Sequence, residues 1–327
     1  MSGDARKTLY REHCSRETSI PLFSRDWWLD AAVGERNWDV ALVEKGGQVI
    51  GSLPFQVTRK AGFRRLGQPP LTQTLGPWIR PSNAKRARAL GYEKDVMDGL
   101  IAALPPFDLY AQNWHHRLTN WLPFYWHGFT QTTRYTYVIR ELEDEKQVWE
   151  GVRENIRTDV RKAQGRAGLT VHFENDPEAL IALNRQTYAR QGKQPPYPDR
   201  LVRSLHDACS ARRCCAVLTV RDGAGRPYAS LLLVWDESAA YYLIGGSDPE
   251  VRNTGAMSLA VWEAIRFART VTKSFDFEGS MMEPVERFCR AFGAEQVPYL
   301  RVSCVRSPLI AFALTFRDAL RVARRKR

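Results

Sequence analysis

The chain contains no apolar run near the ~18 residues that a membrane-crossing helix needs; its longest, Pro308–Phe316, is about half that length. Residues 1–18 are polar and charged and lack the apolar stretch of a secretory signal, so no leader is expected. Cysteine is scarce and poorly spaced for chemistry. The six cysteines, Cys14, Cys209, Cys214, Cys215, Cys289 and Cys304, form no C-x-x-C pair, and no histidine stands at zinc-ligand spacing from them. This excludes a disulfide scaffold, predicts no metal centre, and leaves free thiols in a reducing cytoplasm as the expectation. Low-complexity segments are absent. Acidic residues are outnumbered, 36 Asp and Glu against 48 Lys and Arg, which leaves +12 at pH 7. Residues 317–327 carry six Lys/Arg and one Asp, so +5 of that excess is local and +7 belongs to the rest of the chain. A basic balance suits a polyanionic or phosphorylated partner. It does not choose between tRNA, a nucleotide-linked sugar, coenzyme A and an anionic membrane.

What is present is an ordinary globular composition, 44% hydrophobic and 26% charged over 327 residues. That length predicts two domains, each with its own core. One supersecondary unit occurs twice. The first copy reads as strand 39–43, a turn, strand 49–57, a Gly/Pro loop, a helix over 94–104 and a short strand over 107–114. The second reads as strand 216–220, a turn, strand 228–235, strand 241–244, a Gly/Asp/Pro loop, a helix over 257–270 and a short strand over 274–277. The tails match as well: Phe124 to Phe129 before strand 135–139 echoes Phe288 to Gly293 before strand 299–302. Between the copies lie helices over 141–149 and 152–167, strand 170–174 and helices over 177–190 and 199–211. The expected organisation is residues 1–142, residues 143–305, and a basic amphipathic helix over 306–327 packing on the first domain. The sharper reading of that helix is attraction to anionic lipid. Duplicated domains make a cleft, and clefts bind ligands.

The loop after strand 241–244 carries Arg252-Asn253-Thr254-Gly255-Ala256 and then Ser258, immediately before a helix. Glycine lets backbone approach a phosphate, and a helix start offers free N–H groups and a positive dipole end. This strand, R-x-x-G loop and helix resemble the acyl-coenzyme A pyrophosphate site of GNAT acetyltransferases, with Met257 where that family usually has Gly or Ala. The block from Phe275 through Asp276, Glu278, Gly279, Ser280 and Met281 to Phe288, Arg290, Gly293, Tyr299 and Arg301 resembles the C-terminal signature of Fem-type and BioF-type GNAT-like transferases. Asn155 to Ala163, Gly168 to Val171, Tyr241 to Pro249, and Asn120 to Tyr137 extend that resemblance to about residues 19–305.

The resemblance implies an α/β fold of two tandem GNAT-like domains, each a mixed twisted sheet flanked by helices. It implies acyl or aminoacyl transfer to an amine without a metal. The expected donor is an acyl-coenzyme A, acetyl-coenzyme A foremost, with aminoacyl-tRNA as the alternative. The expected acceptor is an amino sugar or a glycan or peptidoglycan precursor. Fem transferases carry Lys within a Phe-Lys-x-x-Phe-Gly motif; here that position is Cys289, which favours the acyl-coenzyme A branch. A fold retained for ligand binding without chemistry is the further alternative. The donor residues would be Arg252, Asn253, Thr254, Gly255, Ala256 and Ser258.

Asp276, Glu278 and Ser280 alternate toward one face of a strand end, where a carboxylate could take the acceptor's proton. Tyr299 is a candidate proton donor to a leaving thiolate, or a core aromatic. In the first copy Gln112, Trp114 and His116 fall on one strand face and suit stacking on, and hydrogen bonding to, a sugar or base. Arg153, Arg157 and Arg161 share a helix face, either solvated or lining the cleft for phosphate. Lys193 and Tyr197, in a proline-stiffened loop, and Arg290 complete the expected acceptor side.

Overall fold

A computed structural model describes residues 3–279 and 281–325. The chain divides into two compact units, Met1–Arg134 with Tyr299–Arg327, and Tyr135–Pro298. Relative to a boundary at 142/143, residues 135–142 side with the second unit and residues 299–305 with the first.

The first unit opens with helices α1 (Gly3–Arg16) and α2 (Asp26–Val33). The polar sequence of α1 shows little apolar periodicity. Tyr10 is buried and its hydroxyl donates to Ser24 O (2.6 Å), while Arg11 pairs with Asp30 and Arg6 with Asp39. Strands β1 (Trp38–Lys45), β2 (Gln48–Lys60) and β3 (Phe63–Gly67) form an antiparallel meander. Gly46 and Gly47 both take positive φ, +58° and +74°, which gives the first hairpin the turn twist its strands need. The short β4 (Trp78–Ile79) pairs with β2. Helix α3 (Arg86–Ala102), strand β5 (Leu109–Asn113) and helix α4 (Leu122–Trp126) follow. β5 lies parallel to β3, and Val96, Leu100, Tyr110, Trp114 and Phe124 share one core.

Strand β6 (Thr130–Ile139) carries the chain into the second unit. There follow helices α5 (Glu145–Gly151) and α6 (Glu154–Arg161), a π turn over 162–166, and strand β7 (Thr170–Glu174). Helices α7 (Glu178–Ala189) and α8 (Asp199–Ser210) lead to strands β8 (Cys215–Arg221), β9 (Pro227–Trp235) and β10 (Ala240–Ser247). Helix α9 (Ala256–Ala268), strand β11 (Phe275–Asp276) and helix α10 (Glu283–Arg290) complete the unit. β7 through β10 run antiparallel in sequence order, β11 joins β10 in parallel, and β6 pairs antiparallel with β11. α6 and α9 pack into the core on one side, while α7 lies against β10 and β9.

Strand β12 (Glu295–Val305) returns to the first unit, where its last five residues pair antiparallel with β5. Each copy of the repeat thus gives its last strand to the other unit's sheet. Helix α11 (Pro308–Arg325) ends the described chain. It was expected to pack through its apolar face. Instead Ile310 and Leu314 are half-buried, and Leu309, Phe312 and Phe316 stand 71%, 73% and 59% exposed. Among the described residues no helix is long and apolar enough to cross a membrane, and all six cysteines are free thiols.

Candidate active site

In the second unit the parallel strands β10 and β11 part almost as soon as they meet. They pair at Ala240 with Phe275 and at Tyr241 with Asp276. β10 then runs on to Ser247, so beyond Tyr241 its β11-side edge has no strand partner among the described residues. Its register against β9 slips between Tyr242 and Ile244, a bulge at Leu243. A bulge bends the strand and re-aims the groups beside it.

Helix α9 begins at this end. A short 3-10 segment, Arg252–Thr254, precedes Gly255, which sits at φ +83°. A Cβ there would lie 2.2 Å from the carbonyl oxygen of Asp159 on α6, so both conformation and space demand glycine. Ser258 Oγ donates to Asp159 Oδ2 (3.2 Å), Lys162 Nζ donates to Asn253 O, and Thr254 Oγ1 donates to Val251 O (2.7 Å). The loop is therefore anchored from the α6 side, and beyond it α9 begins with first-turn amides that have no acceptor within the helix. Tyr242 OH donates to Met257 Sδ (3.6 Å), which ties that first turn to β10 where β10 leaves β11. Burial holds the Tyr242 phenol above its ordinary range.

The other face of β10 is tightly covered. A Cβ on Gly246 would lie 2.2 Å from Asn184 N of α7. Asn184 Nδ2 donates to Gly245 O (2.8 Å), and its Oδ1 accepts from Tyr197 OH (3.2 Å). Ser247 N donates to Thr187 Oγ1 (3.0 Å). The end of β10 is thus fixed by side chains of α7 and by the loop over residues 191–198.

Asp276 and Glu278 stand at the end of β11, and both are buried. Asp276 Oδ1 accepts from Thr136 Oγ1 and from Glu278 N (2.7 Å in the second case). Burial pushes the Asp276 carboxyl up to about 6, against the lowering effect of those two donors. Burial, and then the neighbouring Asp276 charge, push Glu278 well above the ordinary glutamate value. Glu278 also takes φ +55°, and among the described non-glycine residues at positive φ (Ala61, Leu71, Arg213 and Glu278) it alone is both buried and ionisable. Next to it Gly279 is pressed on β6, where a Cβ would meet Tyr135 O at 2.2 Å. A strained backbone holding a carboxyl with a raised pKa is the arrangement expected of a proton-transfer site.

The expected residues divide unevenly over this frame. Asp276 and Glu278 come together, and Gly255, Ala256 and Ser258 form the start of α9. Ala256 and Ser258 are buried, so they offer backbone rather than side chains. Asn253 is exposed, and Thr254 is half-buried. Arg252 stands in the 3-10 segment; Ser280 lies outside the described residues. Arg157 and Arg161 both pair with Glu154 (2.6 and 3.1 Å), which offsets their charge. Arg290 pairs with Glu286, whose Oε1 also accepts from Tyr137 OH (2.7 Å). Lys193 is exposed, and Tyr197 reaches Asn184 as described.

The first-unit expectations need correction. Gln112 is fully buried, accepts from Tyr110 OH (2.8 Å) and donates to Pro54 O (2.8 Å), so it is a satisfied core amide. Trp114 is buried edge-on against Phe124, at 4.7 Å between rings. β5 ends at Asn113, so the strand alternation expected through His116 does not continue; His116 is half-buried against His115 (4.2 Å between rings). Tyr299 belongs to the first unit and the two carboxylates to the second. Tyr242, Asn184 and Thr187 were not singled out from sequence. Tyr242 lay inside an apolar strand, and the other two on a helix whose facing strand sequence does not name.

Residues 150–283 match the family model described as Acetyltransferase (GNAT) domain. No curated protein matches the chain significantly by sequence. Among solved structures, FemX is 14% identical with a TM-score of 0.65, covering 92% of this chain and 96% of that one. L-PGS from Bacillus licheniformis is 11% identical (TM-score 0.58, 95% and 96% covered). A tandem GNAT protein from the clavulanic acid biosynthesis pathway is 13% identical (TM-score 0.52, 93% and 96% covered). Residues 150–283 thus match a GNAT domain model, and the chain as a whole shares its fold with FemX and with the tandem GNAT protein.

Proposed function

We propose that this GNAT-fold transferase moves an acyl group from an acyl-coenzyme A to the primary amine of an amino sugar or glycan precursor. The observation that carries the reading is the parting of β10 and β11, with the bulge at Leu243, the start of α9 and the Asp276–Glu278 pair gathered around it. The diphosphate of the donor would sit on the first-turn amides of α9. Its acyl thioester would lie along the open edge of β10, where backbone N–H groups can stabilise an oxyanion. The acceptor nitrogen attacks the carbonyl carbon and forms the C–N bond. The C–S bond breaks and coenzyme A leaves as thiolate. The proton lost by the nitrogen passes to the Asp276–Glu278 pair, directly or through water.

Net charge of +12 favours aminoacyl-tRNA as a second donor reading. Cys289, where the Fem pattern carries lysine, is buried with its thiol pushed up to about 12, so it offers no cation to a nucleic acid. The cytoplasm, at the inner membrane face, is the proposed location. Thermal unfolding with acetyl-coenzyme A, longer acyl-coenzyme A esters and coenzyme A tests the donor, since a ligand of the folded state raises Tm by linkage. A rise with the esters, and release of free thiol on adding glucosamine or a nucleotide-linked amino sugar, is expected. No rise with any ester at about millimolar concentration would overturn the reading and turn attention to charged tRNA.

A further inference from the structure

Half of the chain's cysteines, Cys209, Cys214 and Cys215, lie where helix α8 turns into strand β8. The turn itself brings them together. Cys214 N donates to Cys209 O (3.0 Å) and Arg213 N to Ser210 O (3.0 Å), the paired bonds of a Schellman helix end. That motif places one residue in the left-handed region, usually glycine; here it is Arg213, at φ +54°. The residue after it is set against the last helical turn, and those two positions are Cys214 and Cys209. Cys214 Sγ donates to Cys209 O (3.5 Å).

Cys215 reaches the same spot from the strand. Its Sγ donates to His206 O (3.6 Å) and lies 3.3 Å from Ser210 Oγ, so it sits over the face of α8 that carries Cys209. Cys209 is fully buried, and its thiol hydrogen-bonds with those of Cys214 and Cys215. Cys215 is half-buried and faces Val234 of β9 on one side. On the other side β7 stops pairing with β8 at Val217, so no strand flanks Cys215 there among the described residues. Ser210 Oγ is also 3.3 Å from His206 Nε2, and His206 Nδ1 is 3.2 Å from Asp207 Oδ1. A hydroxyl, an imidazole and a carboxylate thus stand in line behind the Cys215 sulfur and give its proton a way out. The hydrogen bond from Cys209, and then Ser210 and His206, pull the Cys215 thiol down to about 7, against its burial and the Asp207 charge. Burial instead pushes Cys14 and Cys289 up to about 12 and raises Cys304. The thiolate is the reactive form of cysteine, which separates Cys215 from those three.

We propose that Cys215 and Cys209 are an oxidisable dithiol, in which Cys215 attacks a hydroperoxide and Cys209 closes the product to a disulfide. The Cys215 proton passes through Ser210 to His206. The sulfur takes the terminal oxygen of the peroxide, the O–O bond breaks, and the leaving alkoxide or hydroxide collects that proton. Cys215 is then a sulfenic acid. The Cys209 sulfur attacks it, the S–O bond breaks, and water leaves with the Cys209 proton. The two thiols lose two electrons and two hydrogens, and the peroxide is reduced by the same two electrons. The bond ties the last turn of α8 to the first residue of β8, and the site asks nothing of the acyl donor.

The test takes the full chain, fully reduced, through hydrogen peroxide and maps its peptides by mass after alkylation in denaturant. The expected product is lighter by about 2 Da, links Cys209 to Cys215, and returns to the starting mass with dithiothreitol. Cys214→Ser should form the link at the parent's rate. Cys209→Ala should stop at a sulfenic acid on Cys215, trapped by dimedone, and Cys215→Ser should form no link. Without peroxide, alkylation of Cys215 in the parent by iodoacetamide should be half-maximal near pH 7. The mapping and the alkylation need no variant to fold. A treated parent that keeps all its thiols would overturn the proposal. So would a link through Cys214 with Cys215 unmodified, or a Cys215 half-point at or above about pH 8.5, the value of an ordinary cysteine.

Discussion

Two glycines of the second unit share a positive φ and differ in surroundings, which makes them a matched pair for experiment. Gly255 and Gly225 both sit at φ +83°. An ideal Cβ at Gly225, in the turn between β8 and β9, meets nothing within 4 Å; one at Gly255 meets Asp159 O at 2.2 Å and its carbonyl carbon at 2.7 Å. Left-handed backbone costs an alanine roughly 1–2 kcal/mol, partly offset by the unfolded-state entropy that alanine removes. Gly225→Ala should therefore cost about 1 kcal/mol. Gly255→Ala carries the same cost plus displacement of α6 from α9, roughly 1–3 kcal/mol for an overpacked contact. For units of this size, 1 kcal/mol moves Tm by about 2–4 °C. Gly225→Ala should fall by that amount and Gly255→Ala by about three times as much. In the same melts, stabilisation by acetyl-coenzyme A should survive in Gly225→Ala and be lost in Gly255→Ala, since only the second moves the start of α9. Equal falls in Tm would refute the argument that Gly255 is held by its approach to Asp159.

Two further outcomes are expected. Asp276, pushed up to about 6, and Glu278, raised further, hold protons in the folded state that the unfolded chain releases near pH 4. Their contribution to stability is complete below that range and is lost as pH rises through the folded values. Tm should therefore fall as pH rises from about 4 through about 6 and beyond, and Glu278→Gln should flatten that fall while lowering kcat; an unchanged Tm–pH slope in the variant would count against the coupled pair. The exposed Leu309, Phe312 and Phe316 lie on a helix that leads into six Lys/Arg and one Asp over residues 317–327. We propose that this face meets anionic lipid, so the chain should float with vesicles containing phosphatidylglycerol but not with pure phosphatidylcholine. Phe312→Asp should abolish flotation and leave the elution volume in size-exclusion chromatography unchanged; a shift toward a smaller species would point instead to self-association through α11.

The period-2 alternation of β1, β2, β8 and β9 was legible because each strand has one core face and clear turn residues. The duplicated order was legible for the same reason. α1 was not, because polar contacts and a few buried side chains hold it rather than an apolar stripe. Of the candidate site, the strand-loop-helix around Gly255 and the Asp276–Glu278 spacing could be read from the chain, since both are local. What could not be read is anything set by the partner of a strand. Gln112 and Trp114 looked like wall residues because alternation gives a face but does not say what covers it; their face is the one on which α3 and α4 pack. Arg301 looked like the end of a motif in the second copy, yet β12 carries it into the sheet of the first, beside Asn113. Exchange of the last strands changes which residues share a face while leaving every local pattern intact. The same exchange brings Val138 and Ile139, the last residues of the first copy's strand, to Asp276 and Phe275. Each unit's parting strands are therefore flanked by a strand the other copy supplied. In the second unit that strand provides Thr136 to Asp276; in the first it provides Arg301 to Asn113. A duplication that kept its last strands at home would have neither contact, so the exchange is what furnishes the two faces with different chemistry.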